Sequence, residues 1–524
     1  MRSAKLTTRN ERRWVLLWSI LIVGLACLPY LVAWWITPAD GQYTGLLVNH
    51  YDGESYYAKM RQGARGDWLF HLPFTPEPHD GAFIFTFYLA LGQLAAALGL
   101  PIPWVYHLAR VCAGLFLLLV AYQFIARFSD RVRVRQAAFL LLGFSSGLGW
   151  LAGPLGVFTA DLWVAEAFTF LSLFVNPHFP LAIGLMLMIL IGILDQGNWP
   201  PRIERILLDA ALGLALAVVQ PFAIPIVLVV LGAYLVLIAW RERSLPWSGI
   251  VSTGVVALAA APIMLYDFYV YQTNSALSAW SAQNLTLSLP PWDYALGYGL
   301  VLLLALGGLV FALRRRQATD LFLIAWVGSV AILLYLPFAL QRRFITGFHV
   351  PLVLLAALGL EQVVWPKVRA KRRGLVTGGI IAFTALTNVF VPVMAVAGVA
   401  QAENPLVMSS DEAAACDWLA EHTAWTDTVL APVDSAQFIP AWAGNRTVYG
   451  HPFETIDAAT KEAEVVRFYS HGATTTDRRT LLERYGVRYV LVTEPETIQE
   501  VETLGLLLVW SGDEASIYRV EGAP

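Results

Sequence analysis

Charge is scarce in this chain. Only 14% of its 524 residues are Asp, Glu, Lys or Arg, while 57% are hydrophobic, more apolar surface than a water-soluble fold of this size needs. The formal net charge is −3, which argues against a nucleic-acid partner and against polybasic attachment to anionic lipid. Cysteine is scarcer still. Cys27 and Cys112 fall within apolar runs and Cys416 stands alone in a polar tail, so neither a disulfide framework nor a thiolate metal site can be assembled. A cleavable secretory signal is also missing: the first apolar run, Trp14 to Ile36, is too long for a signal core and no small-residue cleavage pattern follows it. That run reads as a retained first helix.

What the sequence does have is a series of apolar runs, each about 17 to 25 residues long, as a membrane-crossing helix requires. Their loops differ in basic content. Basic loops are the N-terminus (Arg2, Lys5, Arg9, Arg12, Arg13), Arg127 to Arg135, Arg202 with Arg205, Arg241 to Arg243, Arg314 to Arg316, and Lys367 to Arg373. The positive-inside rule places all of these in the cytoplasm. The loops near Asp40 to Pro103, Pro154 to Pro180, Gln220 to Phe222, Asp267 to Trp292 and Gln341 to His349 then face outward.

Alternation holds if Gly81 to Leu98 is a helix on or in the outer leaflet, within a long first outer loop at 38–103. About eleven spans result: 14–36, 104–126, 136–153, 179–195, 206–219, 222–240, 247–265, 293–313, 320–337, 349–365 and 375–398. An odd number puts the C-terminal tail outside. Spans 136–153 and 206–219 are short, and Pro154, Pro221 and Pro225 permit tilt or a break.

The predicted architecture is therefore a polytopic α-helical membrane protein with a small C-terminal α/β domain, divided at 1–400 and 401–524. In the tail, Ser410-Asp411-Glu412 opens a helix and Thr428 to Ala431 is a strand. Ser435 is placed as the cap of a short helix, and Thr447 to Tyr449 as a second strand. Ala458 to Tyr469 and Thr476 to Tyr485 read as helices; Tyr489 to Thr493, Gly505 to Trp510 and Ser516 to Val520 read as strands. No glycine-rich phosphate loop, nucleophile elbow or paired metal motif occurs there, so the tail is assigned a structural or substrate-shaping role.

Three polar clusters lie in the outer loops, where polar groups at membrane depth are costly and tend to be functional. The first is Asn49-His50-Tyr51-Asp52-Gly53-Glu54-Ser55-Tyr56-Tyr57, followed by Arg61 and an Arg65-Gly66-Asp67-Trp68 turn. Asp52 and Glu54 cannot share a helix face, but in an extended or turning segment they point the same general way. One carboxylate then serves as a base and the other as a cap; the competing reading makes one of them simply the cap of a helix from Ser55 to Gln62.

The second cluster is Asp161, Glu166 and Asn176-Pro177-His178, where a joint role for Asp161 and Glu166 needs a bend. The third is Gln341-Arg342-Arg343-Phe344, which breaks the positive-inside rule. Two outer arginines need an anionic partner, either a lipid phosphate, which suits guanidinium geometry, or the carboxylates of Asp52, Glu54, Asp161 or Glu166.

In organisation the chain resembles the GT-C membrane glycosyltransferases, the lipid-linked sugar transferases related to protein mannosyltransferases and aminoarabinose transferases. The resemblance rests on the basic N-terminus, the acidic motif of the first outer loop (Asp52, Glu54), the Tyr56-Tyr57 and Arg65-Gly66-Asp67-Trp68 runs, and the juxtamembrane helix before the second span. The departures are Asp52-Gly53-Glu54, where many members carry adjacent acids, and Thr75-Pro76-Glu77-Pro78-His79-Asp80 in place of a lysine-proline-proline run. They leave open which carboxylate is the base. The tryptophan-rich acceptor motif of oligosaccharyltransferases is absent as well.

The resemblance implies inverting transfer of a sugar from a polyprenyl-phosphate carrier to a lipid, glycan or protein acceptor at the outer face. In that scheme Asp52, with Glu54 second, takes the acceptor's proton. Arg342 and Arg343 bind the lipid phosphate, and Asp161, Glu166, Asn176, His178, Tyr56 and Arg61 are candidates for contacts to sugar or acceptor. No organic cofactor is implied. Asp52, Glu54, Asp161 and His178 are residue types that hold a divalent metal, so a metal-assisted form stays open. The competing classes are a transporter or lipid flippase, and a non-catalytic scaffold. The first is weakened because no repeat relates the two halves and the charges gather at one face.

Overall fold

The computed structural model describes residues 8–195, 200–493, 501 and 503–522; Arg2 and Lys5 of the expected basic N-terminus lie outside the described residues. Every expected span coincides with a helix or, at 136–153, with a broken helical segment. Among the described residues, eight helical segments are long and apolar enough to cross a membrane: Arg9–Ile36, Ile102–Ile125, Val132–Leu155, Ala223–Glu242, Trp247–Thr273, Pro291–Arg315, His349–Lys367 and Ala370–Ala400. The other three expected spans correspond to His178–Leu194 and Ile203–Val219, 17 residues each, and Ala318–Leu333, 16 residues. Each is a little short of the ~20 residues that cross a bilayer without thinning it.

The break expected in 136–153 is present. The helix Val132–Phe144 stops, and short turns resume at Gly149–Ala152 and Gly153–Leu155. Its partner Pro291–Arg315 kinks at Gly299, where φ is 45° and ψ is −123°. The two irregular stretches meet backbone to backbone: Leu148 N–H donates to the Leu296 carbonyl at 3.0 Å, and a Cβ on Gly147 would lie 2.1 Å from the Gly297 carbonyl oxygen. Only glycine fits there.

The chain divides into two compact units. One comprises Met1–Pro29, His107–Tyr266 and Thr286–Met394; the other comprises Tyr30–Tyr106, Asp267–Leu285 and Ala395–Pro524. In the second unit the first long loop and the C-terminal tail fold together, starting from an antiparallel pair of strands, β1 (Gly41–Tyr43) and β2 (Val407–Ser409). Within the loop, the helix His50–Ala64 is crossed closely by Thr86–Leu98, the juxtamembrane helix expected from the sequence. Its 13 residues extend only about 20 Å, too short to span. The crossing needs small residues, since a Cβ on Gly92 would lie 1.9 Å from the Met60 carbonyl oxygen.

The tail forms a five-stranded sheet from β3 (Thr428–Leu430), β4 (Arg446–Thr447), β5 (Val487–Val492), β6 (Leu506–Ser511) and β7 (Ser516–Val520), in the order β4-β3-β5-β7-β6. The β4-β3 and β3-β5 pairs are parallel; β7 and β6 add antiparallel. Val429, Leu491 and Ile517 face a core with Cys416, Leu419 and Phe438, while Leu430, Val490 and Val492 face another with Val465, Phe468 and Leu482. The helix Ser410–His422 is capped by Ser409 in a reciprocal box with Glu412. Ser435 is not a cap: it sits inside the helix Val433–Ala436 and donates its hydroxyl to Glu412.

Candidate functional site

The helix of the first loop starts earlier than its sequence suggests. It begins at His50, after Asn49 in the left-handed conformation, and no side chain caps it. Asp52 and Glu54 are thus helical residues and neither caps, which corrects both the capping reading and the expectation that the two acids point the same way. Two positions apart on a helix, they diverge by about 200°.

The divergence gives them different surroundings. Glu54 is fully buried; the Trp442 Nε1–H donates to its Oε2 at 3.1 Å, and Oε1 has no partner among the described residues. Burial lifts this carboxyl well above its ordinary range, the indole bond opposing only in part. Asp52 is half-buried in the first helical turn. Among the described residues its side chain accepts no hydrogen bond.

Asp52 is close enough to His451 and Tyr88 to influence both. His451 is buried, and its Nδ1 accepts from the amides of Phe453 and Glu454, each at 3.0 Å. That fixes the lone pair on Nδ1. Burial holds the ring neutral against the pull of the Glu454 and Asp52 carboxylates. His50 is depressed to about 4 by burial and by His451.

One turn along, Glu454 accepts from Lys59 at 2.8 Å and from Ser55 at 2.5 Å. The Lys59 ammonium, itself fully buried, lies 4.6 Å from the Phe85 ring centroid and 5.2 Å from that of Phe70. Tyr56 stacks on Tyr88 with centroids 4.3 Å apart and planes inclined by 7°. Arg61 is largely buried with its Nε unpartnered among the described residues, and burial lowers its pKa.

In the other unit, Asp161 accepts from the amides of Gly147 and Gly149, each at 3.0 Å, and from the Thr159 hydroxyl at 2.6 Å. These amides lie just before and at the start of the turn Gly149–Ala152, which resumes after the break, so Asp161 supplies acceptors where the broken span has none of its own. Burial nonetheless raises its pKa. Asp293 accepts from Ala160 N–H at 2.7 Å, and His349 is bracketed by Ser145 at 3.1 Å and by the Thr169 hydroxyl at 3.1 Å.

Glu166 lies on a separate short turn, Ala165–Ala167, so it and Asp161 do share a bent segment as a joint role required. Its carboxylate faces Arg343 at 3.4 Å, a loose ion pair, and its main-chain oxygen receives the Gly347 amide at 3.3 Å. The Arg342 guanidinium lies over the Trp163 ring, 4.4 Å from its centroid. Asn176 and His178 are buried where Thr169–Val175 ends and His178–Leu194 begins.

Sequence reasoning missed Lys59, Trp442, His451 and Glu454. Lys59 was visible as the sole lysine between positions 6 and 366. His451 and Glu454 sit in a tail with no catalytic motif, so nothing local tied them to the first loop. Arg110 was missed as well: it is buried inside an apolar helix and donates to the Leu173 carbonyl at 2.8 Å. Among the described residues no group of three or more His, Cys, Asp or Glu side chains could hold a metal ion.

No protein-family model matches the chain, and no curated protein matches it. Solved structures do. ArnT from Cupriavidus metallidurans bound to undecaprenyl phosphate is 15% identical, with a TM-score of 0.53, covering 97% of this chain and 98% of that one. The Archaeoglobus fulgidus oligosaccharyltransferase tethered to an acceptor peptide containing the NVT sequon is 14% identical, with a TM-score of 0.52 over 96% of this chain and 74% of that one. The mycobacterial arabinofuranosyltransferase AftD is 15% identical, with a TM-score of 0.51 over 97% of this chain but 41% of that one. The chain therefore has the fold of the polytopic GT-C glycosyltransferases, and with its eight apolar crossing helices it is an integral membrane protein.

Proposed function

We propose that the protein is an inverting glycosyltransferase that moves a sugar from a polyprenyl-phosphate carrier to an acceptor hydroxyl at the outer face of the membrane, with Asp52 as the base. The observation that carries the reading is the contrast within one helix of a GT-C fold. Glu54 is buried with its carboxyl pKa raised, whereas Asp52 is half-buried and its side chain accepts no hydrogen bond among the described residues.

In this scheme the acceptor oxygen attacks the anomeric carbon as Asp52 takes its proton, and the carbon–phosphate oxygen bond breaks on the opposite side. The polyprenyl phosphate departs with the electron pair. Arg342 and Arg343 neutralise the charge growing on it; the loose Glu166 pairing leaves Arg343 able to exchange partners. Tyr56, Arg61, Asp161, Glu166, Asn176 and His178 remain candidates for positioning the substrates, Asp161 through the broken span. A cytoplasmic N-terminus, an extracytoplasmic tail and a division at 1–400 and 401–524 belong to the same reading.

The test is sugar transfer in membranes supplied with a panel of labelled polyprenyl-phosphate sugars, comparing the parent with Asp52→Asn, Glu54→Gln and Arg342→Ala at matched expression. The reading requires loss in the first and third variants and survival in the second. Transfer that persists in Asp52→Asn overturns the assignment of the base.

A further inference from the structure

The Arg65-Gly66-Asp67-Trp68 turn has no task in the scheme above, yet it forms part of a cluster of cationic and histidine side chains in the second unit. Arg65 ends the helix His50–Ala64, and Gly66 reverses the chain with φ 101°. The Arg65 guanidinium lies 4.3 Å from the centroid of Trp425, and Arg446, on edge strand β4, lies 4.9 Å from the same ring. The His71 ring is 5.1 Å from Trp425, and His79 is 5.8 Å from His71. The elements are tied together, since Thr447 N–H donates to the Pro73 carbonyl at 3.0 Å.

Of the acids nearby, Asp80 and Glu77 act on His79, and Glu77 also pairs with Lys461. Asp67 is taken up by Arg65, whose Nε donates to it at 2.8 Å, and Asp427 faces Arg488 at 3.0 Å. Among the described residues the Arg446 side chain has no hydrogen-bond or ion-pair partner, only the Trp425 ring, and its Nε is a buried donor left open. The Nδ1 of His71 is likewise buried and unpartnered among the described residues. Burial and the cationic neighbours hold both groups below their ordinary pKa values. A guanidinium presents five donors in a planar fork, and buried donors of this kind are normally satisfied. An acceptor of negative charge would satisfy the Arg446 donor.

We propose that Arg65, Arg446, His71 and Trp425 form a subsite for the carboxylate or phosphate of an acidic saccharide. The fork of Arg446 suits bidentate binding of either oxyanion, and the half-exposed indole offers an apolar edge to the C–H groups of a sugar ring. A saccharide is favoured over a lipid surface because none of the four residues belongs to a membrane-crossing helix. Only the view that the saccharide is an acceptor rests on the transferase reading; binding itself does not.

Full-length protein in phosphatidylcholine nanodiscs is titrated calorimetrically with a glucuronate-containing oligosaccharide, its neutral glucose counterpart and inorganic phosphate; phosphatidylglycerol vesicles form a separate arm. The acidic oligosaccharide is expected to bind at least about tenfold more tightly than the neutral one, and phosphate to compete with it. Arg446→Gln is expected to weaken acidic binding by about tenfold or more, and Arg446→Lys by less, because it keeps the charge but loses the fork. An unshifted melting temperature verifies folding of Arg446→Gln, and Arg65→Gln provides an independent second variant. Equal affinity for the acidic and neutral oligosaccharides, indifference to both glutamine variants, or binding confined to phosphatidylglycerol vesicles overturns the proposal. No sugar transfer is measured, so this outcome and that of the transferase assay are read separately.

Discussion

Two sets of buried polar residues invite comparison. Around Asp161 in the first unit, the carboxylate is well supplied: three donors converge on it, and Asp293 and His349 are each held by neighbouring groups. Along the helix His50–Ala64 in the second unit, the supply falls short. Asp52 has no donor, Glu54 Oε1 and the Tyr57 hydroxyl have no partner, and Glu454 keeps Oε2 open, all among the described residues. A saturated polar group stabilises backbone that the membrane fold would otherwise leave unpaired. An unsaturated one retains capacity for something the polypeptide does not supply.

The largest effect expected from this distinction is on Asp52→Asn, which should reduce transfer by about 10²- to 10⁴-fold, the usual contribution of a positioned base; labelled-sugar transfer measures it. Arg342→Ala should cost about 10²- to 10³-fold in the same assay, as loss of one fixed charge on a leaving group does. Asp161→Ala should act on folding instead. It strands the Gly147 and Gly149 amides, at about 1–3 kcal/mol for each buried donor, and should lower the melting temperature in detergent. A fully stable but inactive Asp161 variant would break the comparison.

Glu54→Gln sharpens it. The native carboxyl titrates well above 4.5 because it is buried, so the folded state holds a proton that the unfolded chain releases. That stabilisation is complete below pH 4.5 and is lost as pH rises through the raised native value. Glutamine stays neutral throughout, so the variant should gain melting temperature over the parent as pH rises from 5 to 9, with little change in transfer. The smallest effect expected is from Ser409→Ala, about 1 kcal/mol from loss of the cap on Ser410–His422, read by thermal unfolding.

Much of the fold was legible because membrane spans announce themselves by length and apolarity. The break near 145–148 was also legible, from the short run before Pro154. The tail's strands expected at Thr428 to Ala431, Tyr489 to Thr493 and Ser516 to Val520 followed from short apolar runs between turn residues. The site was legible only in part. The Asp52-Gly53-Glu54 segment stood out, but glycine at its centre and the polar run before Ser55 disguised a helix that starts at His50. Tertiary packing overrode local propensity there. The Lys59–Glu454 pair joins residues 395 positions apart, and no local pattern encodes such a pairing.

The most direct test sets Asp52→Asn against Glu54→Gln in one transfer assay with the same polyprenyl-phosphate sugar donors and matched amounts of folded protein. The account predicts that transfer collapses in Asp52→Asn and persists within a few-fold in Glu54→Gln. Collapse in Glu54→Gln with survival in Asp52→Asn would contradict it.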